Sequence, residues 1–126
     1  MKCSFYRCNR CNNMVGLIKS GGGKLVCCNE AMELLVPGSV DAAAEKHVPE
    51  ISVDGNSVSV AVGSVLHPML EEHSIEWIYL MLECGGQRKA LKPGMEPKAV
   101  FSLAEGEKAV AAYAYCDLHG LWMAEI

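Results

Sequence analysis

Ile51-Ser52-Val53-Asp54-Gly55-Asn56-Ser57-Val58-Ser59-Val60-Ala61-Val62 alternates apolar and polar residues on either side of Asp54-Gly55-Asn56. Alternation with period two gives an extended chain one apolar face, and the Asp-Gly-Asn turn folds two such runs into a β-hairpin. Outward from this hairpin the same habit continues. The apolar stretch Ile75–Leu82 turns at Gly85-Gly86 into residues 87–91, Pro93-Gly94 breaks the chain, and residues 99–103 and 108–115 complete the strands. Helical periodicity is almost absent; one turn of helix is expected over residues 40–45, with Ser39 or Asp41 as cap. Several short strands with frequent turn signals predict a mainly β protein, a small antiparallel sandwich or barrel.

Upstream of the hairpin the character changes. Pro37-Gly38-Ser39 reads as a boundary, giving an N-terminal domain over 1–36, a linker over 37–47 and a β domain over 48–126. Short extended pieces, Met14-Val15-Gly16-Leu17-Ile18 and Lys24-Leu25-Val26, flank the glycine run Gly21-Gly22-Gly23. So small a domain cannot bury enough apolar surface to offset its ordering entropy, and it needs a staple.

The 126 residues are 51% apolar and 21% charged, a globular composition, and no apolar run approaches the ~18 residues of a membrane span. The opening Met1-Lys2-Cys3-Ser4-Phe5-Tyr6-Arg7 does not read as a secretory signal, so a cytoplasmic protein is expected. Net charge is −4, from 11 basic and 15 acidic residues, with no basic run. Neither nucleic acid nor membrane is an expected partner. An anionic substrate would need a local source of attraction.

Seven cysteines are many for a reducing compartment and argue for metal ligation over disulfides. Cys8-x-x-Cys11 aims two thiolates at one point, and Cys27-Cys28 after the glycine-rich stretch closes a four-sulfur site. Zinc and iron both accept four thiolates, with zinc the commoner occupant. A redox-active dithiol would leave Cys27 and Cys28 without a role. The adjacency of Cys27 and Cys28 constrains the angle at the metal and tips the reading towards an electron-transfer iron.

A second constellation uses every histidine in the chain: His47, His67, His73 and His119, with Cys116. Cys116-x-x-His119 has ligand spacing at a turn, and His67 precedes His73 by six positions. Singly, each histidine is more simply a hydrogen-bonded surface or core residue. Jointly they lie in turn-rich segments beside strands, where sites are built. Four imidazoles and one thiolate exceed the usual four ligands of zinc. Five ligands on a metal that prefers six leave one position for chemistry, which suits iron. The thiolate donates electron density, as in thiolate-ligated haem.

Cys8-x-x-Cys11 with Cys27-Cys28 resembles the desulforedoxin-like domain. Glu45-Lys46-His47-Val48-Pro49, His67-Pro68-Met69, His73-x-Ile75-x-Trp77 and Cys116-x-x-His119-Gly120-x-Trp122 resemble the superoxide reductase domain, so the chain resembles the two-domain desulfoferrodoxin family over nearly its whole length. The resemblance implies two irons per chain: a rubredoxin-like one on Cys8, Cys11, Cys27 and Cys28, and one with His47, His67, His73 and His119 equatorial and Cys116 axial. It implies a seven-stranded immunoglobulin-like sandwich, a homodimer, superoxide as substrate and a rubredoxin-like electron donor. Zinc is an alternative occupant of the four-cysteine site, and calcium an additional structural ion compatible with a dimer. Alone, Glu45 and Lys46 read as two solvated charges. Through the resemblance, Lys46 supplies the local positive charge and orients proton-donating water, and Glu45 takes the sixth position of the oxidised iron.

Cys3 and Cys84 fall outside both constellations and read as inert thiols. Asp117 stands where the resembled family often has asparagine, one residue from the axial cysteine. Trp77 and Trp122 read as sandwich core, Trp122 also beside the site. Rivals from other classes are a non-enzymatic electron-transfer or metal-sensing protein using the first cluster alone, and a zinc-ribbon binding module.

Overall fold

The computed structural model describes residues 3–126; Met1 and Lys2, which open the N-terminal reading above, lie outside the described residues. The chain divides into two units, Met1–Val36 and Pro37–Ile126. In the first, β1 (Ser4–Arg7) pairs antiparallel with β2 (Met14–Leu17), while β3 (Val26–Cys27) pairs with β4 (Glu30–Ala31) and β5 (Glu33–Leu34) lies on the other side of β1. Among the described residues only Phe5, Cys8 and Leu35 are buried apolar positions here. So few contacts cannot hold 36 residues of chain against their conformational entropy.

The second unit opens with α1 (Ala44–His47), one turn long. It lies later than the helix expected over 40–45, and neither Ser39 nor Asp41 caps it; Ala43 is the N-cap, without a side-chain cap bond. Tertiary hydrogen bonds override the local cap signals. The Val65 N–H donates to the Glu45 carbonyl (3.0 Å) and the Gly63 N–H to the Val48 carbonyl (3.2 Å). Pro49 forces Val48 to be extended, which ends the turn. Residues 37–47, expected as a linker, cluster with this second unit, where the Gly38 N–H donates to the Leu121 carbonyl at 2.8 Å.

Strands β6 (Pro49–Asp54), β7 (Ser57–Val62), β8 (Ile75–Leu82), β9 (Gly85–Ala90), β10 (Lys98–Ser102), β11 (Ala109–Cys116) and β12 (Gly120–Glu125) form two antiparallel sheets, ordered β10-β7-β6 and β12-β11-β8-β9. The alternative of a closed barrel is thereby settled as a sandwich, with the immunoglobulin-like Greek-key order. Val58, Val60 and Val62 of β7, with Phe101 of β10, meet Ile78 and Leu80 of β8 and Ala112 and Ala114 of β11 in one core, all at 0% exposure. Trp77 and Trp122 are both buried.

β12 was not anticipated, because its apolar run Leu121-Trp122-Met123-Ala124 lacks alternation and follows directly on a ligand motif. The side chains of edge strand β9 reach across to the open edge of β10. Gln87 Nε2 donates to the Ser102 carbonyl (2.9 Å), and Lys89 Nζ donates to the Val100 carbonyl with its ammonium 5.4 Å from the Phe101 ring centre. Occupied carbonyls and a lysine make this edge a poor template for further strands.

Gly63 governs the approach of the β7–β8 connection to α1. Its φ is +85°, and a Cβ there would lie 2.4 Å from the Val65 carbonyl oxygen and 2.6 Å from that of Glu45. Backbone atoms cannot swing aside as a side-chain tip can. Gly63→Ala is therefore expected to cost about 2–4 kcal/mol, read by denaturant unfolding, from the left-handed conformation and the clash together. An unchanged unfolding midpoint would show that the connection does not lock α1.

Candidate metal centres

Two groups of ligand-type side chains converge in the structure. In the first unit, Cys8, Cys11, Cys27 and Cys28 bring their sulfurs within 4.8 Å of one another. Cys8 and Cys11 sit in the turn after β1, closed by the Asn12 N–H to the Cys8 carbonyl (3.0 Å) and the Cys8 N–H to the Asn13 carbonyl (2.8 Å). This turn aims the N–H groups of Arg10 (3.4 Å) and Cys11 (3.5 Å) at Cys8 Sγ.

The adjacent pair Cys27-Cys28 ends β3. Successive side chains of a strand point to opposite faces, so two neighbouring cysteines need a break in the strand to share one ion. Cys28 supplies it at φ +53°, followed by Asn29 at +62°. The left-handed conformation costs a non-glycine residue about 1–2 kcal/mol and brings the two sulfurs to 4.0 Å. Cys11 and Cys27 Sγ are 3.6 Å apart, and Asn13 Nδ2 donates to Cys27 Sγ at 3.6 Å.

The sulfurs divide their protons unevenly. Backbone N–H groups of Cys11 and Arg10 bring the Cys8 thiol down to about 6. Hydrogen bonding to Cys11, Cys8 and Cys27 holds the proton on Cys28, which rises to about 12. Four thiolates at these distances require a cation among them. Neither group of ligands includes Cys3, half-buried, or Cys84, exposed in the β8–β9 turn.

The second group lies at one end of the sandwich. His47 is the last residue of α1, His67 and His73 belong to the β7–β8 connection, Cys116 ends β11, and His119 stands in the turn to β12. His47, His67, His73 and Cys116 bring donor atoms within 4.8 Å of one another. His119 joins through Nδ1, 3.1 Å from His47 Nε2.

The four rings are arranged as the sides of a square. Neighbouring centroids are 4.7 Å apart (His47–His67), 4.5 Å (His67–His73), 5.1 Å (His73–His119) and 4.9 Å (His119–His47), each pair edge to face. His47 and His73 face each other across the square at 6.4 Å. Cys116 Sγ reaches the opposite corners, 3.3 Å from His67 Nε2 and 3.9 Å from His119 Nδ1. Its sulfur also lies within 4.8 Å of donor atoms of His47 and His73, so it packs against the cluster of rings.

The tautomers follow from the outer partners. His47 Nδ1–H donates to the Ala43 carbonyl (2.7 Å) and His67 Nδ1–H to the Pro68 carbonyl (2.6 Å). Each ring therefore turns a bare Nε2 inward, and those two nitrogens are 3.2 Å apart. A proton could sit between them only on a charged imidazolium. Burial pushes both rings below their ordinary value, His67 to about 4, so near neutrality both lone pairs are free. His73 Nε2 is buried with no hydrogen-bond partner. Converging lone pairs, one of them orphaned, fit a metal ion and little else.

Burial pushes the Cys116 thiol up, the N–H groups of His119 and Leu118 pull it down, and the charges of Asp117 and Glu76 push it up. Trp122 braces the site: its ring stacks on His47 (centroids 5.0 Å) and its Nε1–H donates to the His119 carbonyl at 3.0 Å. That contact was only partly legible, in the Trp122 that follows Cys116-x-x-His119. Glu45 and Lys46 are exposed on α1. The Lys46 charge is felt at the His47 ring, whereas the Glu45 carboxylate is not among the converging ligand atoms.

Comparison with known proteins agrees with this pair of sites. The family model described as Desulfoferrodoxin matches residues 39–125, and that described as Desulfoferrodoxin, N-terminal domain, matches residues 1–35. A desulfoferrodoxin of Nitratidesulfovibrio vulgaris is 49% identical over 120 residues, covering 95% of this chain and 94% of the relative. A desulfoferrodoxin homolog of Archaeoglobus fulgidus is 49% identical over 117 residues, covering 93% and 92%. Among solved structures, the superoxide reductase from Treponema pallidum is similar at 36% identity and a TM-score of 0.84, covering 99% of this chain and 100% of that one.

The buried rings make a pH prediction for the metal-free protein. A histidine held at about 4 when folded and near 6.5 when unfolded takes up its proton only on unfolding between these values. Stability is then complete above 6.5 and falls as pH drops towards 4. Urea midpoints of the metal-free protein should decrease from pH 7 to pH 5, and metal loading should suppress the decrease at pH values where the ligands stay bound. A metal-free midpoint constant over that window would contradict neutral buried imidazoles.

Proposed function

The chain belongs to the desulfoferrodoxin family, and from that premise we propose that it is a superoxide reductase, taking superoxide to hydrogen peroxide at its histidine–cysteine site. The square of four imidazoles with the Cys116 sulfur converging on it carries the reading. His47, His67 and His73 through Nε2, His119 through Nδ1 and Cys116 through Sγ would hold an iron ion, which when bound supplies one electron per superoxide: superoxide, one electron and two protons give one hydrogen peroxide. No dioxygen forms, which distinguishes reduction from dismutation.

The chain's own groups prepare this chemistry. Four neutral imidazoles add no charge to repel an anion, and Cys116, 0% exposed, donates electron density from the side away from water. Lys46, exposed on the turn that carries His47, attracts superoxide and orients a proton-donating water. Glu45, exposed on the same turn, would supply a carboxylate to the iron of the oxidised protein. In the first unit, Cys8, Cys11, Cys27 and Cys28 would hold a second iron, with zinc as an alternative occupant. A rubredoxin-like donor returns the electron, and the protein works as a cytoplasmic homodimer, with calcium an accepted structural ion.

Anaerobically reduced protein exposed to superoxide should give one peroxide per superoxide without dioxygen. If superoxide is not consumed at the iron-loaded second site, an electron carrier replaces the enzyme. Lys46→Ile should slow superoxide capture by roughly tenfold or more, the scale of electrostatic steering, while both metals remain bound. An unchanged rate would remove Lys46 from that role.

A further inference from the structure

Cys116 and His73 are donors from different strands' ends, and one residue that the mechanism above does not use joins them. The Asp117 N–H donates to the Ser74 carbonyl (3.2 Å), and the Ser74 N–H donates back to Asp117 Oδ1 (3.0 Å). Ser74 follows His73 directly and is 5% exposed, while Asp117 follows Cys116 directly and is half-buried. The reciprocal pair clasps the β7–β8 connection to the end of β11, between two ligand-type residues. The oxygen that accepts from Ser74 also lies 4.0 Å from Cys116 Sγ.

We propose that Asp117 is a positioning residue for the second metal, clasping the His73 and Cys116 segments together and placing a fixed negative charge beside the axial sulfur. The proposal rests on the reading of this site as an iron–thiolate centre. Clasp and charge are separable, because asparagine keeps the accepting oxygen and loses the charge.

Half-burial shelters the carboxylate, and its hydrogen bond to Ser74 keeps it from swinging away into solvent. A negative charge at this place stabilises the ferric over the ferrous state and raises the sulfur donor level more than that of the more distant iron.

The test uses the iron-loaded full chain as wild type, Asp117→Asn and Asp117→Ala. It reads the midpoint potential of the second iron, the thiolate-to-iron charge-transfer band and the rate of iron loss to a chelator. Asp117→Asn should keep its iron as wild type does. At the wild-type midpoint its ferric-to-ferrous ratio should fall roughly tenfold, an upward shift of ~59 mV for a one-electron couple, with the band at higher energy. Asp117→Ala should show the same electronic shift and lose iron several-fold faster. An Asn variant with wild-type potential and band would overturn the charge. An Ala variant that holds iron as wild type does would overturn the clasp. If iron-loaded wild type lacks a thiolate band, the superoxide reductase reading fails first and takes the inference with it.

Discussion

Two bare imidazole nitrogens 3.2 Å apart, each with its proton committed to a carbonyl on the far side of the ring, cannot be satisfied by one another. That constraint organises the second unit. Burial denies the pair a shared proton, so a cation is needed to compensate the lone pairs, and His73, His119 and Cys116 bring three more donors to the same place. The sandwich sets the frame on which they meet. Cys116 terminates the central strand β11, which is held by seven paired positions along β8, six along β12, and a core in which its Ala112 and Ala114 are 0% exposed. His47 comes from a single turn of helix that could not persist alone and is held by Gly63, Val65 and Trp122. A rigid strand end thus supplies the thiolate, and loops pinned by backbone hydrogen bonds supply the imidazoles.

The first unit solves the reverse problem. Its core consists of little more than Phe5, Leu35 and the base of Cys8, so the metal site is not placed by a fold that already exists. Site and fold form together. The left-handed Cys28 makes sense in these terms, since its conformational cost is local while the ligand it delivers ties β3 to the turn after β1. Cys27 is half-buried and Cys11 and Cys28 are exposed, which leaves this cluster close to solvent, unlike the buried Cys116. The two sites therefore differ in character: one exposes sulfurs to solvent, the other shelters its sulfur.

The sequence was most legible where chemistry and spacing coincide. Alternation around Asp54-Gly55-Asn56 led directly to β6 and β7, and Cys8-x-x-Cys11 with Cys27-Cys28 identified the sulfurs that converge. The histidines were legible as a set because the chain has only four. Less visible was anything decided by tertiary hydrogen bonds. The helix moved from 40–45 to Ala44–His47 because carbonyls of Glu45 and Val48 are claimed by residues 63 and 65, a pairing no local cap signal announces. β12 was hidden by its own apolar run, and the choice of Nδ1 over Nε2 in His119 has no trace in sequence. Nor could spacing reveal that Trp122 touches two of the rings' segments at once.

The net charge of −4 is at odds with an anionic substrate only if charge is averaged over the molecule. At an ionic strength near 0.15 M the screening length is about 8 Å, so the field met by a small anion is set by the groups closest to its path. Beside the second site those groups include Lys46, next to Glu45, on the turn that ends in His47, and the Lys46 charge is felt at the His47 ring. Two further acidic groups, Asp117 and Glu76, act on Cys116, which is fully buried. On the proposed reading, negative charge near the sulfur would strengthen its electron donation, and Lys46 beside His47 would draw the substrate. A chain that is acidic overall can thus still offer a local cation at one edge of a centre, because screening confines what a small anion meets to the groups nearest its path.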